Sequence, residues 1–439
     1  MTKMERYPAY KPTGIAWLPE VPEGWEIRPY KSIYGFGKGL PITKENLVDE
    51  GVPVVSYGQI HSKENTGISL SDSLLRFVSP SYLEHDPQCL LHIGDMAVAD
   101  TSEDLDGCGN AVVMDRDGPV FAGYHTIISR IRDSRNAPFL AYVFKCISWR
   151  SQIRIAVHGV KLFSITKQIL AATRFPLPHL PTQRAIVAYL DEKCGKIDAL
   201  VAVKEKEAAL LKELKQSMIA EAVTRGVRPK RRLVPSGIPW LPEVPEGWEV
   251  KTLRQFLKMV SRKGFPEKQL LSVTREQGVV VRNVESKEEN HNFIPEDLSN
   301  YKLVEVGDFA INKMKSWQGS YGVSEHEGIV SPAYYICKLS GVDRSYFSAA
   351  IRSRPYVSFF ARFSKGIRVD QWDLSPIALK EIPFLLPPLA EQREIVAHIE
   401  ARAAKIDAAV KGLEREVAAL KEYKQRLIAD VVTGQRKVA

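Results

Sequence analysis

The sequence predicts an α+β protein built twice over. Two heads of mixed, β-rich α+β type are separated by two long helices that pair as an antiparallel coiled coil, in a pseudo-two-fold cyclic arrangement. Three observations predict this. Residues 14–26 read GIAWLPEVPEGWE and residues 237–249 read GIPWLPEVPEGWE, identical at twelve of thirteen positions at a shift of 223 residues. QRAIVAYLDEKCGKIDALV from Gln183 and QREIVAHIEARAAKIDAAV from Gln392 match at a shift of 209. The chain's tail and head also imitate its middle. Thr224-Arg225-Gly226 leads through a basic stretch to Ser236-Gly237-Ile238-Pro239-Trp240, while the chain ends on Thr433-Gly434 and begins with a polar stretch before Thr13-Gly14-Ile15-Ala16-Trp17. Self-similarity at a long fixed period signals a duplicated architecture, and a cyclic order of parts predicts that the termini lie close together.

Each copy opens on its Trp/Pro-rich segment. A middle follows, roughly 28–175 and 251–382, and the two middles look unlike each other. An invariant frame around differing inserts suggests one scaffold carrying two readers. Gly94-Asp95 and Gly307-Asp308 each precede an apolar run, the pattern of a turn entering a strand. The expected boundaries are 1–180 and 226–388 for the heads, with 181–225 and 389–439 for the helices.

The segment 183–223 follows Pro181-Thr182 and stops before Gly226, as a helix should. Ile186, Leu190, Ile197, Leu200, Leu211, Leu214 and Met218 trace a heptad seam, interrupted by Lys193, Lys204 and Glu207. Ile395, Ile399, Ile406, Ala409, Leu413, Leu420, Tyr423 and Leu427 trace the same register in the second copy. Two such stripes can bury each other, or each can pack on its own head. Some 40 helical residues span roughly 60 Å at 1.5 Å per residue, against roughly 34–36 Å for one turn of DNA.

Composition narrows the function. The chain of 439 residues carries a formal charge of +9, which permits a polyanionic partner. No apolar run approaches the roughly 20 residues of a membrane span, and the N-terminus MTKMERYPAYKP lacks an apolar signal region. Five scattered cysteines fit reduced thiols better than a disulfide framework. The expected setting is cytoplasmic, with no membrane partner.

Motifs of chemistry are missing. There is no GxxxxGK[ST] phosphate loop, and Gly35-Phe36-Gly37-Lys38-Gly39 has the wrong spacing. The Asn-Pro-Pro-aromatic motif of amino-methyltransferases is absent, and Ser331-Pro332-Ala333-Tyr334 lacks the amide that would replace it. Cys89 and His92 have no second ligand pair for a metal. Asp100, Glu103, Asp104 and Asp106 read as a polar loop rather than a nuclease centre, because no lysine follows at a suitable distance. No catalytic residue, metal or cofactor is expected.

Base readout needs amides, guanidinium and ammonium groups on exposed loops, with aromatics beside them. The first copy offers Tyr57, Gln59, His61 and Lys63, then His158 and Lys161 around Gly159. The second offers Lys313, Lys315, Trp317 and Gln318, then Lys365, Arg368 and Gln371 after the Gly366 turn. These loops are the candidate DNA-binding sites. The alternatives are a stand-alone duplicated nuclease or methyltransferase, and a scaffold that binds no DNA.

The WLPEVPEGWE openings, the Gln-Arg-x-Ile-Val helix starts, the Lys196–Ala199 and Lys405–Ala408 cores and the Val-Thr helix ends resemble the specificity (S) subunits of type I restriction–modification enzymes. The likeness covers essentially the whole chain. Thr182 departs from the pattern, where the second copy has the more familiar Glu391. Phe121–Thr126 and Ile329–Tyr334 look like strand openings of such domains. The resemblance implies two target-recognition domains alternating with two spacer helices, each domain reading one half of a bipartite site in double-stranded DNA. It also implies two methyltransferase (M) subunits as partners, and restriction (R) subunits in the full complex, with catalysis left to them.

Overall fold

The computed structural model describes residues 5–159, 161–283, 294–366 and 372–438. The chain forms two compact units, Met1–Lys204 with Arg415–Ala439, and Glu205–Glu414. The long helices run Leu180–Arg225 and Leu389–Val432, so each unit holds one head and one end of each helix.

The repeated opening folds as a hairpin in both units. Tyr10–Ile15 pairs antiparallel with Leu18–Pro22, and Leu233–Ile238 with Leu241–Pro245. The next strand, Glu26–Pro29 or Glu249–Thr252, pairs with the strand that leads into the long helix, Arg174–Leu177 or Pro383–Leu386. The entrance and exit of each head are thereby stitched together.

The two middles, unlike in sequence, share a frame. In the first unit an antiparallel sheet runs in the order Ala111–Val113, Met96–Ala99, Thr126–Ile131, Tyr34–Lys38. The second repeats that order with Tyr321–Val323, Phe309–Ile311, Tyr335–Leu339 and Leu257–Val260. The Gly-Asp pairs do lead into strands. Gly94 and Gly307 take φ of 89° and 92°, where a β-carbon is disfavoured. The buried Asp95 accepts from the backbone N–H of His92, and Asp308 from that of Glu305, both at 2.9 Å. A cation closes each buried carboxylate, Arg130 at 2.5 Å or Lys338 at 2.9 Å. Removal from water makes such a carboxylate costly without these partners.

Helices complete each head. Ala137–Lys145 and Ile147–Ala156 pack under the first sheet, Arg344–Ile351 and Arg354–Phe363 under the second. The first core gathers Trp25, Tyr30, Tyr34, Phe139, Phe144, Trp149 and Phe175. The second gathers Trp248, Phe256, Phe309, Tyr321, Phe347, Tyr356, Phe360 and Phe384. The amides that begin both long helices are buried and act as clasps. Gln183 donates to Pro178 O at 2.7 Å and Gln392 to Pro387 O at 2.8 Å.

The helices pack on each other and on the heads, so the two arrangements open in the sequence both occur. In the first unit Ile186, Leu190, Cys194, Ile197 and Val201 share a core with Leu427, Ile428 and Val431. In the second, Met218, Ala222 and Val223 share one with Ile395 and Ile399. The pairing is antiparallel. Lys424 meets Asp198 at 2.6 Å and Lys204 meets Glu416 in the first unit, while Lys215 meets Asp407 at 2.6 Å in the second.

Part of the expected seam is displaced: Leu200 and Ala409 are exposed while their next neighbours Val201 and Val410 are buried. Leu200, Leu214 and Tyr423 are 44, 55 and 51% exposed, while Val201, Ala208 and Val410 are buried. Leu190, Ile197 and Met218 hold their expected places.

Candidate nucleic-acid interface

In the first unit the loop from Tyr57 opens on a cavity that Leu162, the residue after the second chosen loop, also lines. Its volume is about 560 Å³, and Tyr57, His61, Thr101, Asp106, Asn110 and Leu162 are among its walls. The approach of these segments has a backbone cause. The chain leaving Met96–Ala99 forms Thr101–Ser102, which pairs with Phe163–Ser164, and the N–H of Ile165 donates to Asp100 O at 2.7 Å. His158 and Lys161 are exposed on the loop that leads into this pairing. Gly159 is needed there, because a β-carbon would sit 2.2 Å from Leu162 O.

The other loop begins at a short helix, Tyr57–Ile60. Gln59 spends its amide oxygen as a cap, accepting from the N–H of Ser56 at 3.2 Å. Lys63 is exposed. Tyr57 packs edge-on against His61, Tyr124 and His125. His61 has both ring nitrogens engaged, Nε2 with Thr101 O at 2.8 Å and Nδ1 with Asn110 Nδ2 at 3.1 Å. Arg150 stands behind Asn110 and donates to its Oδ1 at 2.6 Å. Burial pushes the Arg150 guanidinium down to about 10, with Arg154 adding to the effect; it stays charged at neutral pH.

In the second unit the chosen loops also meet. The N–H of Leu374 donates to Lys313 O at 3.1 Å, the counterpart of the Ile165–Asp100 bond. Lys313 Nζ lies 3.0 Å from Asp373 Oδ2, which holds the ammonium above its ordinary value. Trp317 packs against Trp372 with ring centres 5.2 Å apart. Lys315 and Lys365 are exposed, and Gln318 is half-buried. Lys365 and Asp373 exchange backbone hydrogen bonds of 3.0 and 2.9 Å, closing the base of their loop. Arg368 and Gln371 lie outside the described residues.

Sequence reasoning passed over Asn110, Arg150, Asp373 and His125. The acidic run from Asp100 to Asp106, read as a polar loop, turns out to wall the first cavity with Glu103, Asp104 and Asp106. His125 takes φ of 54°, uncommon for a residue other than glycine. It lies 3.2 Å from Asp100 Oδ1. Nothing in the sequence pattern marked these residues, because their neighbours come from distant segments.

All five cysteines are buried and free. Among the described residues, no cluster of three or more His, Cys, Asp or Glu is placed to hold a metal ion, and no helix is long and apolar enough to cross a membrane.

Comparison with known proteins agrees with these features. Residues 22–209 match the family described as type I restriction modification DNA specificity domain. The chain is 23% identical to a putative type I restriction enzyme MjaX specificity subunit of Methanocaldococcus jannaschii, over 95% of each chain. It is 21% identical to the type I restriction enzyme StySPI specificity subunit of Salmonella potsdam, over 95% of this chain and 90% of that one. Its fold resembles one chain of a solved structure concerned with complex assembly and conformational transition of the type I R-M system. The TM-score is 0.64 at 16% identity, covering 94% of this chain and 98% of that one. Duplicated frame, paired helices and whole-length likeness converge: residues 22–209 match a type I restriction modification DNA specificity domain, and the chain is similar over nearly its whole length to specificity subunits of type I restriction enzymes.

Proposed function

We propose that this protein reads a bipartite target in double-stranded DNA, one half-site per unit, and supplies no catalysis itself. The target-recognition domains are residues 1–180 and 226–388; the spacer helices are 181–225 and 389–439. One observation carries the reading. Two heads keep the same strand order and the same backbone clasp, yet present different side chains at it: Tyr57, His61 and carboxylates in one, Lys313, Lys315 and Trp317 in the other. A shared frame with unlike faces is what reading two different sequences requires, since base edges are distinguished by donors and acceptors.

The DNA-facing residues are Tyr57, Gln59, His61, Lys63, His158 and Lys161 in the first domain. In the second they are Lys313, Lys315, Trp317, Gln318, Lys365, Arg368 and Gln371. His61 acts by shaping the face, because both its nitrogens are already engaged. Two methyltransferase subunits dock through the helices, and restriction subunits join through them.

Mapping methylated sites in cells that carry the complete system tests this. A split motif with a fixed spacer is expected. A continuous motif, or methyl transfer by the purified chain alone, overturns it. Inserting four residues in the helix at 205–210 alters its rise and rotation, and the spacer in the map is expected to lengthen; an unchanged spacer contradicts the ruler.

A further inference from the structure

We propose that Asn110 and Arg150 are positioning residues that hold His61 in its Nε2–H tautomer and so fix the sequence preference of the first half-site. This rests on the DNA-reading function proposed above.

The tautomer follows from the order of the hydrogen bonds. Arg150 can only donate, and its Nη2 lies 2.6 Å from the Oδ1 of Asn110. That sets the amide's orientation and leaves Nδ2 to face His61 Nδ1 at 3.1 Å. An amide nitrogen donates, so Nδ1 accepts and carries no proton. The ring proton is then on Nε2, where it donates to the carbonyl of Thr101 at 2.8 Å. Arg150 is anchored in turn, donating from Nε to Cys108 O at 3.1 Å and from Nη2 to Asp106 O at 2.5 Å. The ring has little room to leave, since a β-carbon on Gly107 would sit 3.0 Å from it.

The relay ties three segments together: the helix Ile147–Ala156, the 57–63 loop and Thr101. Thr101 lies in the strand that pairs with Phe163–Ser164 and thereby carries the 158–161 loop. Both candidate reading loops of this unit are therefore held in register through one imidazole. Each link is a neutral or charge-assisted bond in a half-buried site, where an unmade partner is costly. A face held this way is organised before DNA arrives, and preorganisation sharpens discrimination by cutting the ordering cost of the correct complex.

Asn110→Asp separates this role from simple structural support. The variant keeps the size and gains an ion pair with Arg150, but it sets an acceptor against Nδ1. The ring must then take its proton on Nδ1, which leaves Nε2 bare against Thr101 O, unless the ring is doubly protonated. Other titratable or charged groups around this cavity are Tyr57 on the helix that His61 caps, Glu103, Asp104 and Asp106 on the loop after Thr101, and His125.

The test uses the full chain assembled with its methyltransferase subunits and duplexes that carry single changes in either half-site. At pH 8, Asn110→Asp is expected to lower discrimination in the first half-site by about tenfold, within the ~1–3 kcal/mol that a specific base contact supplies, and to leave the second half-site unchanged. In the free full-length protein, ¹⁵N spectra of His61 are expected to show the proton on Nε2 in the wild type and on Nδ1 in the variant. Wild-type discrimination in Asn110→Asp at pH 8, or a proton on Nδ1 in the wild type, overturns the proposal. A wild-type complex that reads no split motif sinks the DNA-reading function instead, and the spectra still decide the tautomer.

Discussion

The two candidate faces are built on the same clasp and place different charges beside it. Where the first unit offers Asp100 to a backbone N–H across the site, the second offers Lys313. Around them stand Glu103, Asp104 and Asp106 in one unit, Lys315 and Lys365 in the other. Backbone bonds fix where the strands go and are indifferent to side-chain charge, so one frame tolerates both. The functional consequence differs. Ammonium groups displace counterions from phosphates and give affinity whatever the sequence. Carboxylates repel phosphates but accept from the exocyclic amine of cytosine. On the DNA-reading function proposed above, the second face is expected to grip and the first to discriminate.

The units also differ where the linker meets the long helix, and this difference predicts the largest effect. In the second unit the buried carboxylate of Glu391 accepts from Trp248 Nε1 at 3.1 Å and pairs with Arg231. The first unit has Thr182 at that position, and the chain's own tail fills the junction. Tyr10 donates to Gly434 O at 2.7 Å and the N–H of Lys437 to Glu5 O at 2.8 Å. Glu391→Ala removes the buried acceptor of Trp248 Nε1 and of the half-buried Arg231 and is expected to destabilise the second unit by ~1–3 kcal/mol, whereas Thr182→Ala changes stability by about 0.5 kcal/mol or less, as surface substitutions do. Denaturant unfolding of both variants checks the contrast; equal losses would erase it.

The charge contrast is sharpened by salt. Replacing Lys313, Lys315 and Lys365 with glutamine is expected to weaken binding to target and non-target duplex alike. The slope of log affinity against log salt should fall by about 0.9 for each phosphate that is no longer neutralised. Glu103→Gln in the first unit is expected to act the other way and more weakly, raising affinity for non-target duplex by roughly 2–5-fold, the scale of a single exposed charge pair. Fluorescence anisotropy of the assembled complex across a salt series measures both. An unchanged slope in the triple variant removes the assignment of grip to the second face.

The smallest effect is expected where the units agree. Lys424–Asp198 and Lys215–Asp407 both bridge the helix pair with a half-exposed carboxylate. Lys424→Ala or Lys215→Ala should each cost ~1 kcal/mol or less, with similar shifts in thermal midpoint. A large loss from only one of them would show that the helix pair is held unequally in the two units.

By itself the sequence determined the duplication with its repeated Trp/Pro-rich openings, the long helices, and the Gly-Asp turns into strands. These are local patterns: a period of 3.6, a turn that needs positive φ, a segment repeated almost letter for letter. Its bearing on the faces was partial. The loops around Tyr57, Gly159, Lys313 and Lys365 were legible as polar, glycine-marked segments, but their approach in each unit was not. Only the tertiary structure decided that Val201 rather than Leu200 faces the partner helix, that the acidic run walls the first cavity, and that Asn110 and Arg150 stand behind His61. Those outcomes depend on which atoms distant segments bring within hydrogen-bond or packing distance, and such distances have no signature along the chain.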